Sequence, residues 1–201
     1  MIEESVFRNV LKTIKEFPDR SLDIIDSFSD NQFKAKENLV KYLDEFLDKD
    51  HNLVIIGCWY GSILIPLLIP KVNKIVAIDI DDNVIRIGKN KFFKNYKNIS
   101  WSTGDAFTKQ LDYSNTKFVI NTSCEHMLPM KEWPYWSKLK SDAYFAFQSN
   151  NMFQVAGHIN CVNSLEEFKS QLPKNSEVLI EEEIDDSRGI RYMLIGKIKN
   201  G

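Results

Sequence analysis

The chain has 201 residues, 43% hydrophobic and 12% aromatic, which suffices for one domain (1–201) with a full core. Its 26 basic and 28 acidic residues leave a net charge of −2. No block of like charge forms a stripe, so nucleic acid is not the expected partner.

The first fifty residues predict helices, a cover over the rest of the chain. Val6, Val10, Leu11 and Ile14 recur at helical spacing until Pro18, and Leu39, Val40, Leu43, Phe46 and Leu47 form a second stripe. The amino-terminal segment is charged throughout and has no signal-peptide core. At residue 53 the period changes. Residues 53–56 are continuously apolar, as in a parallel strand covered on both faces. A glycine turn (57–61), a short helix (62–69) and a second strand (74–79) complete a βαβ unit. The run 62–70 is too short to span a bilayer and holds two prolines.

Asp81 caps a predicted helix from 82 to about 94, with Val84, Ile85, Ile87 and Gly88 inward. Strands follow at 99–102, 117–120 and 143–148, with a helix or helical loop at 127–138 and a capped helix at 164–172. Strands 177–184 and 190–198 close the chain as a hairpin. The expected fold is α/β: a three-layer, Rossmann-like arrangement around a mainly parallel seven-stranded sheet, with a carboxyl-terminal antiparallel hairpin strand. The α/β core is 51–201, and 1–50 is its helical amino-terminal cover.

Ligands of such sheets bind beyond the carboxyl ends of the strands. The polar residues of interest cluster there: Gly57, Asp79, Gly104-Asp105, 121–126 and 148–151. A carboxylate suits ribose hydroxyls, and a carboxylate with an aromatic neighbour suits an adenine edge and face. No G-x-G-x-x-G and no P-loop motif is present.

These motifs resemble those of class I S-adenosylmethionine-dependent methyltransferases. The register Ile55 to Gly61, I-I-G-C-W-Y-G, matches the family's glycine turn at Gly57 and Gly61. Ile55 stands where the family usually has an acid, and Trp59 where it has the middle glycine. Asp79 corresponds to the ribose acid, Gly104-Asp105-Ala106 to the segment whose acid holds the adenine amine, and Phe107 to a ring-packing neighbour. Cys124-Glu125-His126-Met127 matches the glutamate–histidine pair that many small-molecule members carry after the fourth strand. The resemblance implies S-adenosylmethionine as cofactor. Its contacts would be Gly57, Cys58, Trp59, Tyr60, Gly61, Asp79, Ile80, Asp105, Ala106 and Asn121. Trp59 and Tyr60 either pad the turn or wall the sulfonium.

The acceptor is expected to be a small polar molecule. Glu125 or His126 would take its proton and Asn121 would orient it, with Trp133, Asn150, Asn151 and His158 lining the substrate side. Asn31, Gln32 and Lys36 are further contacts suggested by the family's helical cover. Arg191 is either a substrate-carboxylate ligand or, the preferred reading, a solvated hairpin charge. Cys124 is read as a packing residue. Glu125, His126 and His158 come from separated loops, so no metal is expected. Only Asn121 agrees with the N-P-P-Y motif of base methyltransferases. Alternatives are a non-methyl reaction of the same cofactor and a non-catalytic cofactor-binding subunit. Three isolated cysteines, Cys58, Cys124 and Cys161, fit a cytoplasmic protein.

Overall fold

Residue 52, next to the change in hydrophobic period, is where the sheet begins. The computed structural model describes residues 4–199; residues 1–3, 200 and 201 lie outside the description, as do the side chains of Ser5 and Val6, the latter part of the first predicted stripe. Helices α1 (Glu4–Glu16), α2 (Ser21–Asp26) and α3 (Asp30–Leu43) precede β1 (Asn52–Ile56). Then come α4 (Leu64–Leu68), β2 (Lys74–Asp79), α5 (Asp82–Ile87), β3 (Ile99–Thr103), β4 (Thr116–Asn121) and β5 (Tyr144–Asn150). Helix α6 (Leu165–Lys169) and the hairpin β6 (Ser176–Asp186) and β7 (Gly189–Ile198) complete the chain.

The sheet order is β3-β2-β1-β4-β5-β7-β6. The first five strands run parallel, and β7 pairs antiparallel with both β5 and β6. The strand order reverses between β1 and β4, which opens a crevice at their carboxyl ends.

Strand pleating divides the core in two. Leu53 and Ile55 of β1 face Leu39, Leu43 and Ile65 on the side of the amino-terminal helices. Val54 and Ile56 face the opposite layer, with Tyr113, Trp133 and Phe168. Three layers result. Helix α3 is tied to the sheet by the Gln148 side chain, which donates to the Ala35 carbonyl at 2.8 Å.

The predicted caps are present. Asp81 accepts from the backbone N–H groups of Asn83 and Val84, and Ser164 accepts from that of Glu167. Four predicted helices are shorter or different, among them 164–172, which is helical only over Leu165–Lys169. The segment 62–69 is helical only over Leu64–Leu68, and the segment from residue 82 turns into a π-helix at Gly88–Phe92. Gly88 lies against Trp101, whose ring leaves no room for a Cβ. The segment 127–138 forms the short 3-10 turns Met130–Glu132 and Trp136–Lys138, because Pro129 and Pro134 deny continuous backbone bonding. Among the described residues no helix is long and apolar enough to cross a membrane.

Candidate active site

The carboxyl ends of the strands and the cover helices enclose a cavity of about 740 Å³, within the range of small-molecule and cofactor pockets. Gly57, Cys58, Trp59, Gly61, Asp79, Ile80, Asp105 and Ala106 line one part of it. Glu125, His126, Asn150 and His158 line another.

The glycine turn demands left-handed backbone at alternate positions. Gly57 has φ +64 and Gly61 φ +67, and Trp59 between them has φ +50. A side chain in that region costs roughly 1–2 kcal/mol. The indole packs against Tyr60, ring centroids 5.6 Å apart, and Lys36 Nζ lies 5.9 Å from its centroid. Asp79 ends β2 with its carboxylate held by two backbone donors: Trp59 N–H at 2.7 Å and Asp81 N–H at 3.1 Å. Burial pushes its pKa up against those hydrogen bonds. Each oxygen keeps a further lone pair for a ligand hydroxyl. Asp105 spends one oxygen on an Asx turn, accepting from Phe107 N–H at 2.8 Å.

At the other end of the cavity, Glu125 and His126 sit on the 3-10 turn Cys124–His126 after β4. Glu125 is buried, and Asn150 Nδ2 donates to its Oε1 at 2.6 Å. Burial raises its pKa and the Arg191 guanidinium, 3.8 Å from Oε1, opposes the rise. His126 Nδ1 lies 3.0 Å from the Gly157 carbonyl, and His158 Nδ1 lies 3.0 Å from that of Met152. Burial holds His158 below its usual pKa, and His126 adds to that. The two imidazoles meet edge to face, centroids 4.6 Å apart. The loops that separate these residues in sequence are thus brought together, with ligating atoms of Glu125, His126 and His158 within 4.8 Å of one another.

Four candidate residues are placed elsewhere. Tyr60 is fully buried in the core and donates to Asp23 Oδ2 at 2.6 Å. Asn121 is buried, its amide nitrogen 3.0 and 3.2 Å from the sulfurs of Met127 and Met130 and its oxygen accepting from Ser123 N–H. It braces the 122–127 loop from below. Trp133 is buried among Tyr113, Tyr135 and Trp136 and donates to the Ala106 carbonyl at 3.1 Å, a buttress for the Asp105 turn. Asn151 accepts from Ile190 N–H at 2.8 Å and ties β5 to the hairpin. Of the suggested cover residues, Gln32 and Lys36 line the cavity, whereas Asn31 donates to Asp186 and Ser187. Cys124 is buried and its thiol pKa is raised by burial, which favours packing over nucleophilic chemistry.

The solvated reading of Arg191 is corrected. Its side chain is buried and lines the cavity, 3.8 Å from both Glu125 and Asp186. Antiparallel β7 starts at the carboxyl end of β5, where Arg191 pairs with Asn150. The reversed strand direction was the available signal. Lys36 and Arg188 are further cations that line the cavity. Burial, then Arg191, pushes the Lys36 pKa down to about 7, with Glu125 and Asp26 opposing.

No family model and no curated relative matches the chain. Solved structures do. The N-methyltransferase NodS from Bradyrhizobium japonicum WM9 superimposes with TM-score 0.70 at 12% identity, covering 87% of this chain and 99% of that one. NodS in complex with S-adenosyl-L-homocysteine gives 0.70 at 14% identity, covering 86% and 90%. Magnesium protoporphyrin IX methyltransferase from Synechocystis PCC 6803, with bound S-adenosylhomocysteine, gives 0.65 at 13% identity, covering 84% of each. The chain has the fold of class I S-adenosylmethionine-dependent methyltransferases.

Proposed function

We propose that this protein, with its methyltransferase fold, transfers a methyl group from S-adenosylmethionine to a nitrogen or oxygen of a small polar molecule in the cytoplasm. One observation carries the reading. The acids expected to hold the adenosine, Asp79 and Asp105, share one cavity with Glu125, His126, His158 and Arg191. The residues fit the cofactor: a floor at Gly57, a fixed carboxylate with free lone pairs at Asp79, and a half-buried aromatic, Phe107, beside Asp105.

When bound, S-adenosylmethionine supplies a methyl group activated by its sulfonium charge. Asp79 would accept hydrogen bonds from the ribose hydroxyls, and Asp105 from the adenine amine. Trp59 would flank the methionine end with its ring face. The chain's remaining task is alignment and exclusion of water. Glu125, with its raised pKa, is suited to take the acceptor's proton, and Arg191 to hold an anionic group of the acceptor.

Thermal denaturation with S-adenosylmethionine and with S-adenosylhomocysteine tests the cofactor, and formation of S-adenosylhomocysteine from a metabolite mixture tests the reaction. Binding of neither cofactor form would sink the proposal. Trp59 in place of a glycine favours a second reading, in which another part of the cofactor reacts. Methylthioadenosine as product would decide for it.

A further inference from the structure

We propose that Glu125, His126 and His158 form a site for one transition-metal dication at the acceptor end of the cavity. The juxtaposition is built by the backbone. Ile159 and Asn160 N–H groups both donate to the Glu125 carbonyl, at 2.8 and 2.9 Å, and Asn160 Nδ2 donates to the Cys124 carbonyl at 3.2 Å. These bonds staple the loop after β5 to the turn after β4. One carboxylate oxygen and one nitrogen from each imidazole then lie within 4.8 Å of one another.

The protons are arranged for ligation. A carbonyl only accepts, so His126 Nδ1 and His158 Nδ1, each 3.0 Å from a backbone carbonyl, carry the ring protons. Each Nε2 keeps its lone pair. Metal-bound histidines are oriented by the same kind of outer hydrogen bond. The carboxylate is also incomplete: Glu125 is 3% exposed, and its Oε2 is buried without a hydrogen-bond partner. Such an atom in a native interior needs a reason.

Asp186 is shared between Arg188, 3.4 Å away, and Arg191, 3.8 Å away, whereas Glu125 has Arg191 at 3.8 Å and Lys36 as the cations facing it. A dication would add to the positive charge there and leave the centre attractive to an anionic ligand atom. Two imidazoles and a carboxylate suit zinc, iron, cobalt or nickel better than magnesium or calcium. Bonds of about 2.1 Å place ligand atoms roughly 3–3.5 Å apart, so the side chains swing inward on binding. The rest of the coordination sphere faces the cavity, where an acceptor oxygen or nitrogen would complete it.

The test uses the full chain freed of metal by a chelator. Co²⁺ is titrated by visible absorption and Zn²⁺ by calorimetry, with a one-to-one end point expected for each. His126→Ala and His158→Ala should each weaken binding by about tenfold or more, while His51→Ala leaves it unchanged. His158→Gln repeats the measurement in a side chain of similar size should the alanine variant unfold. Absence of saturable binding, wild-type affinity in the His126 and His158 variants, or loss of binding in His51→Ala would overturn the site. The proposal does not rest on methyl transfer. S-adenosylhomocysteine binding, measured separately, reports on the cofactor end, so the two readings fail by different observations.

Discussion

The backbone N–H of Trp59 donates to Asp79 Oδ2 at 2.7 Å, so the residue in the strained position of the glycine turn also fixes the acid at the end of β2. The turn and the acid are one unit. At φ +50 a glycine is better tolerated than any other residue, the reverse of its usual rank below alanine. Trp59→Gly is therefore expected to be more stable than Trp59→Ala by roughly 1 kcal/mol. Urea denaturation of the pair checks this, and an advantage for alanine would show that the conformation relaxes.

Asp79→Asn keeps shape but removes the charge and one acceptor. Its amide nitrogen cannot accept from Asp81 or Trp59 while the oxygen serves the other. Loss of a charge-assisted contact of roughly 1.5–3 kcal/mol predicts a ten- to hundredfold weaker affinity for S-adenosylhomocysteine. Calorimetry provides the number, and unchanged affinity would remove Asp79 from the cofactor contacts.

Replacing Arg191 by methionine leaves Glu125 a buried carboxylate with Asn150 and Lys36 as its remaining partners. A loss of roughly 3–5 kcal/mol is expected. Adding Glu125→Gln should recover much of it, because the under-compensated buried charge is then gone. Additive effects of the two substitutions would mean that the 3.8 Å pair contributes no coupling.

Lys36 gives a pH signature. Its pKa is about 7 in the fold against an ordinary 10.5. Between those values the unfolded chain binds more protons, so this residue makes stability rise with pH. The stability difference between wild type and Lys36→Met should therefore shift in favour of wild type from pH 7 towards 10. Parallel profiles in urea titrations at pH 7, 8 and 9 would count against the depressed value. A neutral amine also predicts faster acylation of Lys36 than of other lysines at pH 7.5, read by mass spectrometry.

The placement of the glycine turn and the two strand-end acids was legible because it is local. Gly57, Asp79 and Asp105 lie at or just beyond the ends of their strands, and a parallel strand's carboxyl end is a ligand edge whatever lies elsewhere. Residues whose partners are distant were not. Tyr60 points away from the cavity because the turn alternates left-handed residues, which no hydrophobic pattern encodes. Asn121 and Trp133 look like site residues by composition, yet meet Met127, Met130 and the Ala106 carbonyl. Arg191 was hidden by the reversed direction of β7. The pairing of His126 with His158 depends on the staple between two loops, a contact that neither loop's residues announce alone.

The hairpin has a consequence for how the protein is made. Strand β6 is synthesised before β7 but sits outside it, so β6 cannot join the sheet until its successor exists. A nascent chain that has emerged as far as α6 already holds Asp79, Asp105, Glu125 and both cavity histidines, with the edge of β5 still bare. Arg191 arrives last, on the strand that covers that edge. That end of the cavity is thus completed at the final docking event, and Glu125 waits without the Arg191 guanidinium until the ribosome has delivered β7.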